Sequence, residues 1–81
     1  MKLPRDLGGD ELCRLLGKYG YGIVRQTGSH IRMTAKVKGD EYHITIPQHS
    51  PIKTGTLNGI LNDVAAHLGI DKIKLKRELF G

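Results

Sequence analysis

The residues of this sequence that are best suited to chemistry surround one histidine, His30, which directly follows Gly28-Ser29. Imidazole is the side chain that most readily exchanges protons near neutral pH. A two-residue turn at Gly28-Ser29 would place Arg25 and Arg32 opposite each other on adjacent strands. Two facing arginines repel, and an anion such as a phosphate between them relieves the repulsion. The pattern therefore indicates either a phosphate site beside a histidine or basic side chains on a solvated sheet.

A second candidate anion site is the segment Lys53-Thr54-Gly55-Thr56, which precedes an apolar helical pattern. Free backbone N–H groups at a helix start, a small glycine, two hydroxyls and a lysine can together receive a phosphate. Ordinary helix capping by threonine is the commoner role of such residues. Both interpretations stay open on the sequence alone.

The other histidines and the single cysteine carry weaker signals. His43 and His49 occupy polar strand and loop positions, and His67 falls near a predicted helix end, where a cation suits the helix dipole. A zinc site needs three or four converging ligands, but the sequence has one cysteine, no His-x-x-x-His pair and no aspartate-rich loop. We therefore expect no metal site and no small-molecule cofactor, with Cys13 as a small buried hydrophobe.

Hydrophobic periodicity and turn residues predict the elements that position these side chains. The predicted elements are a helix over residues 10–19, strands over 21–27, 31–37 and 42–46, a second helix between Pro51 and Gly69, and a short third helix capped by Asp71. The order α-β-β-β-α(-α) predicts an α+β two-layer sandwich, in which helices cover one face of a three-stranded antiparallel sheet. Double-stranded-RNA-binding domains use the α-β-β-β-α part of this plan.

The second turn decides which side chains share a face of the sheet. A two-residue loop at Gly39-Asp40 would place Met33 opposite Ile46 and Ala35 opposite Ile44. One face of the sheet would then be apolar and the other polar.

The first turn decides the surroundings of His30. A two-residue loop at Gly28-Ser29 would place Arg25 opposite Arg32 on the polar face, the face that also carries His30. The same register predicts that Val24 lies in the core.

Composition limits the size of the protein and its classes of partner. The chain has 81 residues, of which 38% are hydrophobic and 26% charged, with a formal net charge of +5. We expect one domain over residues 1–81, because so short a chain can bury only one sheet and a few helices. There is no apolar run of about 18 residues and no secretory signal pattern, so we expect a cytoplasmic protein that is not in the membrane. A positive field of this kind attracts nucleic acid, an anionic membrane or an acidic protein.

Three motifs taken together resemble the HicA family of toxin ribonucleases. Gly28-Ser29-His30 follows the first strand, Pro47-x-His49 follows the third, and Gly55-Thr56-Leu57-x-x-Ile60-Leu61 opens the next helix. The similarity runs almost end to end, from the glycine-rich segment before the first helix through Tyr19-Gly20-Tyr21 to the second helix. The joint order and spacing of the motifs are far more specific than any one of them.

The resemblance implies a toxin of a type II toxin-antitoxin pair that cleaves mRNA without a metal and is silenced by a HicB-type antitoxin. By the same analogy, His30 is the catalytic histidine. It would take the proton of the RNA 2′-hydroxyl while basic side chains neutralise the phosphate. The expected RNA-binding residues are Arg25, Ser29, Arg32, Lys53, Thr54, Gly55 and Thr56.

Two other classes of function stay open. A non-catalytic RNA-binding module is favoured by the fold and the charge, and it would tolerate substitution of His30 but not of the basic face. A protein-interaction domain would present its basic surface to an acidic partner and would not bind RNA.

Overall fold

The helices and strands follow one another in the order that the sequence predicts. The computed structural model describes residues 3–81. Its elements are α1 (Gly9–Leu16), a 3-10 turn (Gly17–Tyr19), β1 (Gly22–Thr27), β2 (His30–Val37), β3 (Asp40–Pro47), α2 (Thr54–Leu68) and α3 (Lys72–Phe80). The three strands form one antiparallel sheet in the order β1-β2-β3, and helices pack against it. The predicted α+β fold class is confirmed. Within the described residues, no helix is both long enough and apolar enough to cross a membrane.

The helix ends follow from local side-chain chemistry. α1 carries Asp10 and Glu11 in its first turn, where carboxylates interact favourably with the helix dipole. α2 ends at Leu68 and is capped by Gly69, as predicted. α3 follows Asp71, whose carboxylate accepts a hydrogen bond from the Lys74 N–H at 3.2 Å. This cap confirms the predicted start of the third helix.

The turn between β2 and β3 corrects one prediction. Its central residues are Lys38 and Gly39, with φ angles of 52° and 87°. Positive φ at both central positions is typical of a type I′ hairpin turn. Met33 therefore lies opposite Ile44, and the register predicted from a loop at Gly39-Asp40 is wrong by two residues. A shift of two residues keeps every side chain on its own face, so the predicted apolar and polar faces are confirmed.

A β-bulge at Val24 corrects the other register. Arg25 lies opposite Arg32, as predicted, but Met33 pairs with Ile23 rather than with Val24. A bulge leaves its extra residue unpaired and bends the strand, and the Val24 side chain is 59% exposed. The prediction that Val24 lies in the core is wrong. β1 is exposed along its whole length, so it contributes to the surface of the sheet rather than to the core.

The core lies between the inner face of the sheet and the helices. The largest fully buried side chains are Leu12 and Leu16 of α1, Ile31, Met33 and Ile46 of the sheet, Leu57, Leu61 and Val64 of α2, and Leu75 of α3. Burial of each such side chain contributes roughly 1.5–3 kcal/mol. Among residues 3–81, no polar or charged residue is buried. The histidines, arginines and lysines in this range therefore lie at the surface or at its edge, whereas Cys13 and Tyr21 are buried.

Candidate functional site

His30 lies at the corner where the first hairpin turn meets the end of β3. The two-residue turn pairs Thr27 with His30, and His30 is the first residue of β2. On its other side, His30 lies opposite Pro47, the last residue of β3. The main-chain carbonyl of Ser29 accepts a hydrogen bond from the Gln48 N–H at 2.6 Å. The turn that carries His30 is thus held to the loop that follows β3, while the His30 side chain is exposed.

The outer face of the sheet forms the first groove beside His30, which we call the arginine groove. It has a volume of about 330 Å³ and is lined by Arg25, Thr27, His30, Arg32 and Thr45. Arg25 and Arg32 are direct neighbours across β1 and β2. The structure therefore brings together the histidine and the two arginines that the sequence singles out. Two cations side by side beside hydroxyl groups suit an anionic ligand.

A second and larger groove, which we call the lysine groove, shares His30 with the arginine groove. Its volume is about 640 Å³, and its lining residues are His30, Pro47, His49, Ser50, Pro51, Lys53 and Thr56. Lys53 and Thr56 come from the start of α2, so this groove joins the second candidate anion segment to the first. His30 lines both grooves and stands at their junction.

Three of the expected RNA-binding residues lie beside these grooves and not in their lining. Ser29, Thr54 and Gly55 are exposed, and none of them lines either groove. Ser29 contributes its carbonyl to the hydrogen bond that holds the hairpin turn. Thr54 and Gly55 form the exposed first turn of α2, next to Thr56 in the groove wall.

The N-terminus of α2, which is the positive end of the helix dipole, lies at the lysine groove. Its N-cap residue is Lys53, and the Lys53 side chain makes no capping hydrogen bond. Threonine capping, one of the two interpretations left open by the sequence, is therefore not observed at this N-cap. The first four N–H groups of an α-helix have no acceptor within the helix. These groups and the helix dipole add to the positive charge of Lys53 at the groove.

The loop between β3 and α2 is held against the segment that leads into α1. The Gly9 N–H donates to the His49 carbonyl at 3.0 Å, and the Ile52 N–H donates to the Leu7 carbonyl at 2.8 Å. Ile52 is buried in the core. A Cβ atom on Gly9 would overlap the Pro47 carbonyl oxygen, so only glycine allows this close approach. Sequence reasoning missed this role, although the Gly8-Gly9 pair was its visible signal.

The other two histidines have local partners away from both grooves. His43 forms an exposed ion pair with Glu41 at 3.3 Å when the imidazole is protonated. His67 stacks on Tyr42 with ring centroids 4.4 Å apart, and its Nδ1 is 2.7 Å from the Tyr21 hydroxyl. Burial raises the pKa of Tyr21 to about 12, with a smaller contribution from the negative charge of Asp63. His67 therefore links the end of α2 to the sheet, in addition to its predicted place in the last turn of the helix.

The remaining groups that could ligate a metal or act as nucleophiles are dispersed. Among residues 3–81, no three His, Cys, Asp or Glu residues are grouped so that they could hold a metal ion. Cys13 is buried, as predicted. Burial raises the pKa of its thiol, and the nearby Asp10 carboxylate raises it further. The thiol is therefore held in its protonated, unreactive form.

The fold and the site define a class of protein: a small α+β domain whose basic sheet face and helix start meet at one exposed histidine. Comparison with protein families then gives a specific match. The family model described as HicA toxin of bacterial toxin-antitoxin matches residues 9–66. The chain belongs to this family and is therefore a toxin of a toxin-antitoxin system. Membership of the family also implies an antitoxin partner. The searches of curated proteins and of solved structures found no significant match.

Proposed function

We propose that this toxin is a metal-independent endoribonuclease that cleaves mRNA, with His30 as its catalytic histidine. The observation that carries the proposal is the position of His30 at the junction of the arginine groove and the lysine groove. Both grooves are open and basic, which suits a polyanion that passes across the surface better than a small enclosed substrate. Membership of the toxin family supports the same interpretation.

RNA supplies the nucleophile that this site lacks. In the proposed reaction, His30 accepts the proton of a 2′-hydroxyl, and the 2′-oxygen attacks the adjacent phosphorus. Arg25, Arg32 and Lys53 stabilise the negative charge that develops on the phosphate oxygens. The P–O5′ bond then breaks, giving a 2′,3′-cyclic phosphate, and the leaving 5′-oxygen takes up a proton to become a 5′-hydroxyl. A positioned base typically contributes 10² to 10⁴ in rate, so few residues are needed.

The residues beside the grooves provide contacts for the rest of the RNA backbone. We assign phosphate binding to the exposed start of α2, where Thr54, Gly55 and Thr56 present hydroxyls and free N–H groups. We also assign to Ser29, which is exposed next to His30 on the hairpin turn, a contact with the phosphate that flanks the scissile one. These contacts read no base edges, so they position the RNA without selecting its sequence.

The test is incubation of the purified chain with RNA in EDTA, followed by analysis of the product ends. We expect cleavage, with cyclic phosphate and 5′-hydroxyl ends. A matched oligonucleotide with a 2′-deoxy residue at the cut position should resist cleavage, because it lacks the nucleophile. A strict requirement for magnesium or zinc, or cleavage of the 2′-deoxy substrate at the same rate, would overturn the mechanism.

A non-catalytic RNA-binding module is the second candidate, because the same basic grooves would serve binding alone. It predicts salt-dependent RNA binding without cleavage in the EDTA assay. It also predicts that His30→Ala binds and acts in cells as the wild type does.

We further propose that the antitoxin partner is a HicB-type protein that covers the grooves. His30 and Arg32 are exposed on a basic surface, which an acidic or neutral partner can occlude. On saturation with the antitoxin, the NMR signals of His30 and Arg32 should shift. Unmoved signals at both residues would refute direct occlusion.

A further inference from the structure

A second histidine lies in the same groove as His30. His49 lines the lysine groove with His30, Lys53 and Thr56. It also lines an adjoining groove of about 460 Å³ beside the first residues of α1. The His49 side chain is exposed. Of the four histidines, these two are the ones that face a common groove large enough to admit a phosphodiester.

Main-chain hydrogen bonds connect the segments that carry these two histidines. Ser29, which precedes His30, accepts the hydrogen bond from Gln48, which precedes His49, at 2.6 Å. On the far side, the His49 carbonyl accepts the Gly9 N–H at 3.0 Å. The loop is therefore tied both to the hairpin turn and to the start of α1. The main chain on which His49 stands is thus positioned beside His30, and a proton-transfer group must be positioned near the reacting atoms.

RNA cleavage at this site requires a proton donor as well as a base. When the P–O5′ bond breaks, the 5′-oxygen leaves as a strongly basic alkoxide unless a proton reaches it. Of the groups that line the lysine groove, an ammonium or an aliphatic hydroxyl gives up its proton at neutral pH far less readily than an imidazolium does. Imidazole is also the group most often used for this step in enzymes.

We propose, building on the proposed ribonuclease function, that His49 is the general acid of the same reaction. As His30 accepts the 2′-hydroxyl proton and the O2′–P bond forms, protonated His49 donates a proton to the 5′-oxygen while the P–O5′ bond breaks. The products are the cyclic phosphate and a neutral 5′-hydroxyl. His30 ends protonated and His49 neutral, and exchange with water restores both.

The test compares two RNA substrates that differ in one atom. The site that the wild type cuts is first mapped, and the 5′-oxygen at that site is then replaced by sulfur. A thiol has an ordinary pKa of about 8.5, so a thiolate leaves without a general acid. His49→Ala should slow cleavage of the oxygen substrate by about 10² to 10⁴ and leave cleavage of the sulfur substrate at the wild-type rate. His30→Ala should slow both.

The pH profile provides an independent readout. A general acid must be protonated, so the rate of the wild type falls on the alkaline side of its profile. His49→Ala should lose this alkaline fall and keep the acidic one that His30 causes. His43→Ala, at an exposed position outside both grooves, is the matched control and should behave as the wild type with both substrates.

The outcomes separate the two proposals. If the wild type cuts neither substrate, both the ribonuclease function and the role of His49 are wrong. If the wild type cuts both and His49→Ala slows both equally, or neither, the ribonuclease function stands and His49 is not the general acid. Thermal melting of His49→Ala near that of the wild type excludes loss of the fold as the cause.

Discussion

His30→Ala should lower the rate of RNA cleavage strongly and leave the stability of the fold nearly unchanged. The His30 side chain is exposed at the first position of β2, so its truncation to alanine opens no cavity in the core. Surface substitutions of this kind change the free energy of unfolding by at most about 0.5 kcal/mol. For a domain of this size, 1 kcal/mol shifts the Tm by about 4–8 °C, so the Tm of His30→Ala should lie within roughly 4 °C of the wild type.

The expected loss of activity is much larger than the loss of stability. Removal of a general base costs about 10² to 10⁴ in rate, which corresponds to about 2.7–5.4 kcal/mol of transition-state stabilisation. Such a loss should also relieve growth arrest in cells that express the toxin without its antitoxin.

Ile44→Ala is the matched comparison, because Ile44 is 6% exposed and packs in the core. Truncation of a buried isoleucine to alanine costs about 2–5 kcal/mol, a large part of the 5–15 kcal/mol that holds a typical domain folded. This variant should lose stability and cleavage together. The assay is RNA cleavage in EDTA beside thermal melting for wild type and both variants. A His30→Ala protein that melts like the wild type and cleaves at the wild-type rate would refute the assignment of His30 as the base.

Three further predictions follow from the grooves and the core. Arg32→Ala and Lys53→Ala should each lower the slope of log RNA affinity against log salt by about 0.7, and unchanged slopes would mean that neither side chain contacts phosphate. Gly9→Ala should destabilise the fold by about 1–3 kcal/mol, because the new Cβ overlaps backbone. Gly59→Ala, in open space on α2, should instead stabilise the fold by about 0.5–1 kcal/mol. Denaturant titration of both variants tests this contrast. Tyr21, with its pKa raised from 10.0 to about 12, contributes stability that is present below pH 10 and lost as the pH rises through 12. The free energy of unfolding should therefore fall less steeply over this range in Tyr21→Phe, and equal slopes would contradict the prediction.

The element order and the two faces of the sheet could be predicted because they depend on local patterns. Alternation along β2 and β3 assigns Ile31 and Met33 to the core and Arg32 to the outer face under either register, since the side-chain period in a strand is two residues. The helices could be predicted for the same reason, because the spacing of their apolar residues and the caps at Gly69 and Asp71 are visible in short stretches of sequence. These features place His30 and the arginines on one surface without any knowledge of tertiary contacts.

The errors arose where backbone geometry or distant packing decides the outcome. A β-bulge at Val24 leaves an apolar residue exposed, and no periodicity signals it. The role of Gly9 depends on a carbonyl at Pro47, far away in the sequence. The lysine groove requires the start of α2 to lie beside the end of β3, so the sequence could name Lys53 as a candidate but could not place it next to His30.

The two-residue error in the second hairpin bears directly on the proposed mechanism. In the predicted register, continuation of the ladder past Met33 and Ile46 would place His49 directly opposite His30. Residues in that arrangement have Cβ atoms about 4.5–5.5 Å apart, and both imidazoles would approach a phosphate from the same side. In-line displacement instead needs the attacking and leaving oxygens on opposite sides of phosphorus. The turn at Lys38-Gly39 sets Pro47 opposite His30 and puts His49 beyond the strand, on the loop held by Gly9. His30 on β2 and His49 on the loop therefore line the lysine groove from different elements, and the proposed mechanism uses this separation to assign the base to the 2′-oxygen and the acid to the 5′-oxygen of one phosphodiester.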